Sequence, residues 1–382
     1  MLKYDAVVIG GGPAGASAAN ELVKKGIHTL IIEKKKLPRL KPCSGVLSPE
    51  SVGMVEDNFG TPPRNVFSKP GSCKGLRWYF PGGLALDLPI EGKSWIIWRN
   101  RFDNWLCEQS KADISDFTSL ESFEEDDTGV TLRCERHGGE ELKIRCQFMI
   151  AADGGYSRVV KALDPGSYSS LKWFIGMQNT YRCRHDLEEG YFHYFPDPGI
   201  SRYPSAIVKD GLVELTVLAE QGENISTHMD RFIKFLRHHY GFEDYRLEQK
   251  LGCRASWATL QGKSFFGTGR ILVAGEASGL LNMLGEGISS ALGSGIIAGR
   301  VAAGCIKEGI PAGEEYKKEV DVERKKTLKQ FALTHQLLGT ISGANWRQGA
   351  RRLKISDWPV LMKDMGIWAL RNGGIKKRIT PN

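Results

Sequence analysis

Three side chains in this sequence are candidates for direct chemistry. Cys43 stands in a loop containing proline and glycine, where a thiol can supply a proton, shape a pocket or pack as a small apolar residue. Tyr191 and His193 lie in an aromatic run that ends at Phe195, so alternation puts all three on one face of a strand. On that face they either line a cavity or belong to a core. Neither a Ser-His-Asp grouping nor a useful carboxylate pair accompanies them, so we expect a bound cofactor to supply the chemistry.

The N-terminal segment has the form of a strand, a glycine turn and a helix. A short β-branched run ends at Ile9, the turn occupies residues 10–15, and an alanine-rich stretch follows. Gly10 permits a tight turn, Gly12 lets the backbone approach a pyrophosphate, and Gly15 allows the helix to pack closely on the strand. The start of the helix would then hold the phosphates.

A second apolar strand, residues 28–32, ends in Glu33, at the distance where an acid hydrogen-bonds an adenosine ribose in such folds. Two later segments, 151–158 and 271–288, repeat the pattern of a buried strand followed by a loop of glycine and acid. The sequence therefore predicts a dinucleotide site to which the chain returns twice.

Composition is typical of a globular protein. The chain is 41% hydrophobic and 25% charged, and its 382 residues are enough to form two hydrophobic cores. A net charge of +8 would suit nucleic acid, an anionic lipid surface or an acidic substrate, but no zinc-finger, basic-zipper or RNA-binding signature occurs. Because the basic residues gather towards the C-terminal end, a membrane surface is the better candidate partner, and nucleic acid is not expected.

Neither targeting nor metal binding is indicated. The first strand begins almost at Met1, which leaves no room for a signal sequence, and no uninterrupted apolar run reaches the length of a bilayer span. The eight cysteines are scattered without a C-x-x-C pair, which argues against a disulfide framework, a zinc site or an iron-sulfur cluster. We expect a cytoplasmic protein, peripheral to the membrane if it binds one.

Hydrophobic periodicity divides the chain into two interleaved domains and a tail. The first domain holds the cofactor, the second is an antiparallel β domain suited to a substrate, and the tail is helical and basic. The predicted segments are 1–70, 95–165 and 253–310 for the cofactor domain, 71–94 and 166–252 for the substrate domain, and 311–382 for the tail.

The order and separation of these motifs resemble the geranylgeranyl reductase family of FAD-dependent oxidoreductases, within the para-hydroxybenzoate hydroxylase-like flavoproteins. The resemblance spans residues 1 to about 300 and includes two further stretches. RNRFD at 99–103 is similar to an Arg-x-x-Phe-Asp pattern before a flavin-side helix, and KPCSG at 41–45 is similar to a Cys-Gly-Gly loop. It implies an α/β protein with an FAD-binding Rossmann-like domain, an interleaved antiparallel β substrate domain and C-terminal helices.

The resemblance also implies which residues hold FAD. Ala14 and Glu33 would contact the adenosine half, and Arg99 would brace the cofactor. Glu276 would meet the ribityl or pyrophosphate region, where relatives usually have aspartate. The other implied contacts are Cys43, Ser44 and Gly45 beside the flavin, Asp153 and Gly154 near the pyrophosphate, Gly275, and Gly287 with Ile288, whose N–H groups face the isoalloxazine.

The stretch from Tyr191 to Pro196 is similar to the Tyr-x-Trp-x-Phe-Pro cavity motif of the reductases, with His193 in place of tryptophan. The implied reaction is reduction of C=C bonds in a prenyl or other hydrophobic substrate, by hydride from reduced FAD. Cys43 would face Tyr191 and His193 across the flavin, and these three are the candidate catalytic residues. The electron donor is open between NAD(P)H and a protein such as a ferredoxin.

Two alternatives share the cofactor. One is an FAD monooxygenase acting on an aromatic or lipophilic substrate, and the other is an electron-transfer flavoprotein that reduces a quinone. A halogenase ranks low because its Trp-x-Trp-x-x-Pro stretch does not occur.

The tail also predicts contact with a membrane surface. Residues 358–370 place aromatic and aliphatic side chains among charged ones, and anionic headgroups would attract the basic residues nearby. The alternative is that these helices pack their apolar faces onto the two domains. The basic residues are Arg347, Arg351, Arg352, Lys354, Arg371, Lys376, Lys377 and Arg378.

Overall fold

The computed structural model describes residues 1–80, 84–201, 203–256, 258, 261–281, 286–341 and 377–379. In chain order, the elements up to residue 170 are β1 (Leu2–Lys3), β2 (Ala6–Ile9), α1 (Pro13–Lys24), β3 (Thr29–Ile32), β4 (Val46–Leu47), α2 (Pro49–Phe59), β5 (Gly75–Phe80), β6 (Leu84–Pro89), β7 (Trp95–Ile96), α3 (Arg99–Gln109), β8 (Asp113–Ser115), β9 (Thr118–Asp126), β10 (Gly129–Arg136), β11 (Glu140–Cys146), β12 (Phe148–Ala151), α4 (Arg158–Leu163) and α5 (Pro165–Ser169). The later elements are β13 (Trp173–Arg184), β14 (Tyr191–Tyr194), β15 (Ser205–Lys209), β16 (Leu212–Glu220), α6 (Ile225–His239), β17 (Glu243–Ser256), β18 (Gly267–Thr268), β19 (Ile271–Val273), α7 (Ile288–Glu308), α8 (Gly313–Ile341) and β20 (Lys377–Ile379).

The cofactor sheet has six strands in the order β18-β19-β12-β2-β3-β8. All neighbouring pairs are parallel except β18 with β19. The central strands are buried on both faces, because α1 and α7 cover one face and a four-stranded sheet, β1-β11-β10-β9, packs on the other. This confirms the predicted α/β fold with a Rossmann-like sheet.

Small residues let α1 and α7 approach each other closely. A Cβ atom at Gly295 would lie 2.2 Å from the Ala14 carbonyl oxygen, and one at Gly299 would lie 2.4 Å from that of Ala18. By length and composition α7 could span a bilayer, but 78% of its most apolar window is buried inside the protein. It packs as a core helix of the cofactor domain.

The second large sheet has eight strands in the order β17-β13-β16-β15-β14-β5-β6-β20. Its neighbouring strands are antiparallel, except that β14 and β5 are parallel. Its residues Val213, Leu215 and Val217 pack with Phe232 and Leu236 of α6. The opposite face of the sheet is turned towards the cofactor domain. This is the predicted antiparallel substrate domain.

The tail departs from the prediction in one element. The helix α8 confirms a helical region after residue 311, but residues 377–379 form β20, which pairs with β6 at the edge of the substrate sheet. Lys377 and Arg378 therefore belong to a strand. Residues 358–370, together with Arg347, Arg351, Arg352, Lys354, Arg371 and Lys376, lie outside the described residues. The exact domain boundaries remain predictions.

Candidate functional site

In the glycine turn after β2, the backbone lies so close to its neighbours that two positions have no room for a side chain. Gly10 has φ of +110°, and a Cβ atom there would lie 2.3 Å from the Ala152 carbonyl oxygen. A Cβ at Gly15 would lie 1.9 Å from the Gly10 carbonyl oxygen. Gly12 differs, because its Cβ would meet only the Arg39 guanidinium, at 3.4 Å. Gly10 and Gly15 thus shape the turn, whereas Gly12 leaves open space at the start of α1.

Glu33 is held at the end of β3 by three donors. Its Oε2 accepts hydrogen bonds from the Gly11 nitrogen at 3.0 Å and from Arg39 Nε at 2.9 Å, and its Oε1 accepts from the Lys35 nitrogen at 3.1 Å. Arg39 also reaches Asp103, with 3.2 Å between Nη1 and Oδ2. The acid that is predicted to bind the ribose is therefore held in one orientation by its own neighbours.

Arg99 and Asp103 form a buried bidentate pair in the first turns of α3. Arg99 Nε and Nη2 each donate to one carboxylate oxygen of Asp103 at 2.9 Å. Burial opposes ionisation, but Arg99 and Arg39 outweigh it and hold the pKa of Asp103 below its ordinary value. Sequence reasoning missed Arg39 and gave Asp103 no role of its own, although Asp103 ends the RNRFD motif.

The two later segments, 151–158 and 271–288, meet beside this turn. The Asp153 Oδ2 atom accepts from the Arg158 nitrogen at 2.8 Å, while its Oδ1 is buried without a hydrogen-bond partner. Burial raises the pKa of Asp153. Glu276 lies over the loop at residues 154–155, since a Cβ on Gly155 would be 2.5 Å from Glu276 Oε1. Lys41 Nζ lies 3.4 Å from Glu276 Oε2, so an ion pair joins the KPCSG loop to Glu276.

The KPCSG loop is pinned to the cofactor domain at Gly45. Gly45 has φ of +73°, and its carbonyl accepts from the Ile97 nitrogen at 2.9 Å. A Cβ there would lie 2.1 Å from the Ile97 carbonyl oxygen, so only glycine fits. The Gly45 nitrogen lies 3.4 Å from Cys43 Sγ, and Ser44 between them is partly buried.

The segment 271–288 ends in a helix N-terminus. Gly287 is the N-cap of α7 and Ile288 its first residue, so their N–H groups lack partners within the helix. Glu286 accepts from the Ser289 nitrogen at 2.9 Å and fixes this first turn. At the preceding loop, Gly275 packs against Ala14, because a Cβ on it would be 2.8 Å from the Ala14 Cβ.

The substrate sheet meets the KPCSG loop through Gln178 of β13. Its Oε1 accepts a hydrogen bond from the Cys43 nitrogen at 3.1 Å, and its Nε2 donates to Thr216 Oγ1 at 3.2 Å. Next to this contact, Phe192 and Ile207 pack against Val46 and Ile96 of the cofactor domain and against Cys73 and Ile90, which flank β5 and β6. Sequence reasoning missed Gln178, because a single amide in a strand carries no motif.

Tyr191 and His193 share one face of β14, as predicted, but that face packs towards α6 and away from Cys43. The His193 ring is fully buried, with Nδ1 2.8 Å from Tyr79 Oη and Nε2 2.9 Å from the Glu188 carbonyl oxygen. Since a carbonyl only accepts, Nε2 carries the proton. Burial lowers the pKa of His193 to about 4.

The expected placement across from Cys43 is therefore corrected for these two residues. Tyr191 lies under Arg77, whose guanidinium carbon is 4.1 Å from the ring centroid. The side chains of β14 that face the cofactor domain are Phe192 and Tyr194. Successive residues of a strand point to opposite faces, so Phe192 and Tyr194 lie on the face opposite to Tyr191 and His193. A catalytic role for Tyr191 and His193 remains a prediction.

The residues around the turn fit a bound FAD. The open backbone at Gly12 and the N-terminus of α1 suit a pyrophosphate, and Glu33 suits a ribose. Asp153 Oδ1 is buried without a hydrogen-bond partner and can accept a hydrogen bond from a ligand. The Cys43 loop lies on the side from which the substrate sheet approaches, since its backbone bonds to Gln178. Fold and site together define an FAD-binding flavoprotein.

Comparison with known proteins agrees. Residues 3–201, just over half of the chain, match the FAD binding domain family, and the chain belongs to it. The geranylgeranyl diphosphate reductase of Rhodobacter capsulatus is 35% identical over 162 residues, a match that spans 41% of this chain and only 39% of that relative. Digeranylgeranylglycerophospholipid reductase 2 of Methanosphaera stadtmanae is 24% identical over 330 residues, 81% of this chain and 80% of that one.

Two solved structures share the fold. A geranylgeranyl bacteriochlorophyll reductase-like protein of Thermoplasma acidophilum has a TM-score of 0.78 at 19% identity and covers 95% of this chain and 96% of its own. A p-nitrophenol 4-monooxygenase of Pseudomonas putida has a TM-score of 0.70 at 18% identity. The match covers 97% of this chain and 96% of that protein's chain. The protein is thus an FAD-dependent oxidoreductase related to the geranylgeranyl reductases.

Proposed function

We propose that this enzyme reduces C=C bonds in a prenyl chain or a similarly apolar substrate. The observation that carries the proposal is the apolar character of the substrate sheet beside the KPCSG loop. Ile207, Cys73 and Ile96 are buried there in an apolar cluster, and Phe192 of the same cluster is only partly buried. A partly buried aromatic side chain beside the KPCSG loop, backed by an apolar cluster, suits contact with a hydrocarbon substrate.

The reaction adds two hydrogen atoms to the alkene. Reduced FAD, when bound, supplies a hydride to one alkene carbon and is oxidised, while a proton completes the addition at the other carbon. The protein's own task is to position the alkene and to exclude water. Cys43 lies in the loop that the resemblance puts beside the flavin, and its thiol is the candidate to hold that proton. Gln178 fixes the backbone from which the thiol projects.

Relatives named as reductases of geranylgeranyl compounds support this reading, and the monooxygenase with the same fold supplies the alternative. The two reactions differ in their use of oxygen. The purified protein should first be extracted with organic solvent and any bound lipid examined by mass spectrometry. Oxygen consumption is then measured with reduced enzyme and a polyprenyl substrate. The proposal predicts a product heavier by two hydrogens and no oxygen uptake coupled to the substrate, whereas a product that gained oxygen would overturn it.

A further inference from the structure

The guanidinium of Arg39 lies over the glycine turn at the start of α1. Its Nη2 atom is 3.4 Å from the position of a Cβ atom on Gly12. Apart from the residues next to Gly12 in the chain, no other atom of the described residues lies within 4 Å of that position. Gly12 is partly exposed, and the Arg39 side chain keeps 11% of its surface exposed. The space in front of the turn is therefore open to solvent, and this guanidinium borders it.

Two carboxylates from different elements hold Arg39 in place. Its Nε donates to Glu33 Oε2 at 2.9 Å, at the end of β3, and its Nη1 lies 3.2 Å from Asp103 Oδ2 in α3. Burial opposes the positive charge, but Asp103 and Glu33 outweigh it and raise the pKa of Arg39. The side chain is therefore charged and held in one orientation, although it comes from a loop.

The third nitrogen of this guanidinium is left over. Nη2 donates no hydrogen bond to any of the described residues, although an arginine has five N–H groups to place. The first turn of α1 adds unpaired N–H groups beside it, because the N-cap Gly12 has no side chain that could accept from them. Donors from a loop and from a helix N-terminus thus face the same open space.

A diphosphate in this space would need a cation between itself and Glu33. The Glu33 carboxylate accepts from the Gly11 nitrogen, so its negative charge lies directly beside the turn. Arg99 cannot neutralise it, because both of its donating nitrogens are used in the bidentate pair with Asp103. The guanidinium of Arg39 lies between the carboxylate and the turn, and such a group can bind a carboxylate on one edge and a phosphate on another.

We propose that Arg39 binds a phosphate oxygen of the FAD diphosphate through Nη2, while Glu33 and Asp103 hold its other two nitrogens. Asp103, the last residue of the RNRFD motif, is then a positioning residue that acts on the cofactor through Arg39. The inference concerns how the cofactor is bound and holds whichever reaction the flavin carries out. Its test is therefore separate from that of the proposed function.

The test compares ligands that share the adenosine half of FAD but differ in phosphate. FAD-loaded enzyme is diluted, and flavin fluorescence gives the Kd of FAD and the inhibition constants of ADP and adenosine, which displace it. Arg39→Met removes the donors, but Glu33 is still held by the Gly11 and Lys35 nitrogens. We expect the constants for FAD and ADP to rise about tenfold or more, since a charged hydrogen bond to phosphate is lost. The constant for adenosine should stay close to its wild-type value.

Two further variants complete the test. Arg136→Met breaks an exposed ion pair with Glu140 in the four-stranded sheet and should leave all three constants unchanged. Arg39→Lys keeps the charge without the planar fork, so it should raise the constant for ADP less than Arg39→Met does and again spare adenosine. If Arg39→Met does not fold, Arg39→Lys is compared with the wild type in the same way.

Two results would overturn the inference. An equal rise in the constants of all three ligands would show that Arg39 only holds its loop in shape. Unchanged constants for FAD and ADP would show that Arg39 does not contact the phosphates. A failure of alkene reduction, by contrast, would count against the proposed function alone.

Discussion

Gln178 of the substrate sheet accepts a hydrogen bond from the backbone nitrogen of Cys43, with 3.1 Å between the two atoms. The bond joins a nearly fully buried side chain of β13 to the loop that carries the candidate thiol. It therefore fixes the distance between the substrate surface and that loop, which no bond within the cofactor domain alone could do.

Replacing Gln178 by leucine should loosen this junction. The Cys43 N–H and the Thr216 hydroxyl would each lose a partner, and an unsatisfied buried polar group costs about 1–3 kcal/mol. We expect a lower midpoint of urea unfolding and slower turnover with full flavin content. Gln221→Leu, at an exposed position, serves as the control and should change neither. Wild-type stability in Gln178→Leu would mean that the bond does not hold the two parts together.

Gly12 is the glycine at which flavin binding can be separated from folding. Its Cβ would meet only the end of the flexible Arg39 side chain, so Gly12→Val should fold while the added methyl groups block a pyrophosphate. We expect flavin content, measured as the ratio of flavin to protein absorbance, to fall well below that of the wild type. Gly304→Val, at an exposed position of α7 with open space around it, should retain its flavin. A folded Gly12→Val protein with full flavin content would refute the assigned role of this turn.

Cys43→Ala should lower turnover and leave FAD bound. If the thiol holds the proton for the alkene, its loss should slow the reaction by about a hundredfold, the usual size of a general-acid contribution. Cys134→Ala, in the four-stranded sheet, provides a matched removal of a buried thiol and should have normal activity. Equal turnover in both variants would reduce Cys43 to a packing residue.

His193 should make the protein sensitive to acid. Its pKa lies at about 4 in the folded state, against an ordinary value of 6.5 in the unfolded chain. The imidazole is neutral in both states at higher pH, so its contribution is fully present above about 6.5. As the pH falls from there to about 4, the unfolded state takes up the proton first and the free energy of unfolding decreases, by about 3 kcal/mol in all.

The measurement compares urea unfolding of the wild type with that of His193→Gln, which keeps a donor and an acceptor but does not titrate. The stability difference between the two proteins should shrink between about pH 7 and about pH 4. A difference that stays constant over this range would contradict a buried, neutral His193.

The C-terminal tail is proposed to dock on an anionic membrane surface. Each basic residue held near such a surface contributes about 1 kcal/mol. Intact protein should sediment with anionic liposomes at low salt and less at high salt, and neutralising Arg371, Lys376, Lys377 and Arg378 should weaken binding. Equal binding to neutral and anionic liposomes would remove the case for electrostatic docking, as would undiminished binding of the neutralised variant.

The sequence predicts the cofactor domain well because its information is local. A strand, a glycine turn and an acid follow one another within the first 33 residues, and Gly10 and Gly15 are required by contacts with neighbouring backbone. The buried strand before Asp153 and the small residues of α7 are local signals of the same kind. FAD could be predicted from these together with the resemblance.

The substrate face could not be predicted because it depends on which side of each strand faces the cofactor. Alternation grouped Tyr191 with His193 correctly, but it does not say which face α6 covers. The same ambiguity hid Gln178, which becomes significant only when β13 stands beside the KPCSG loop. Arg39 was missed for a related reason, since its partners Glu33 and Asp103 are far apart in the chain.

The most direct test of the central claim is a single turnover without oxygen. FAD-loaded enzyme is reduced chemically under anaerobic conditions, freed of excess reductant and mixed with geranylgeraniol, and flavin absorbance is followed while the lipid is analysed by mass spectrometry. Alkene reduction predicts that the flavin is reoxidised and that one C=C bond is reduced per flavin. If the flavin stays reduced with every prenyl compound offered, and reoxidises with a hydroxylated product only when oxygen is admitted, the enzyme is an oxygenase and the claim is contradicted.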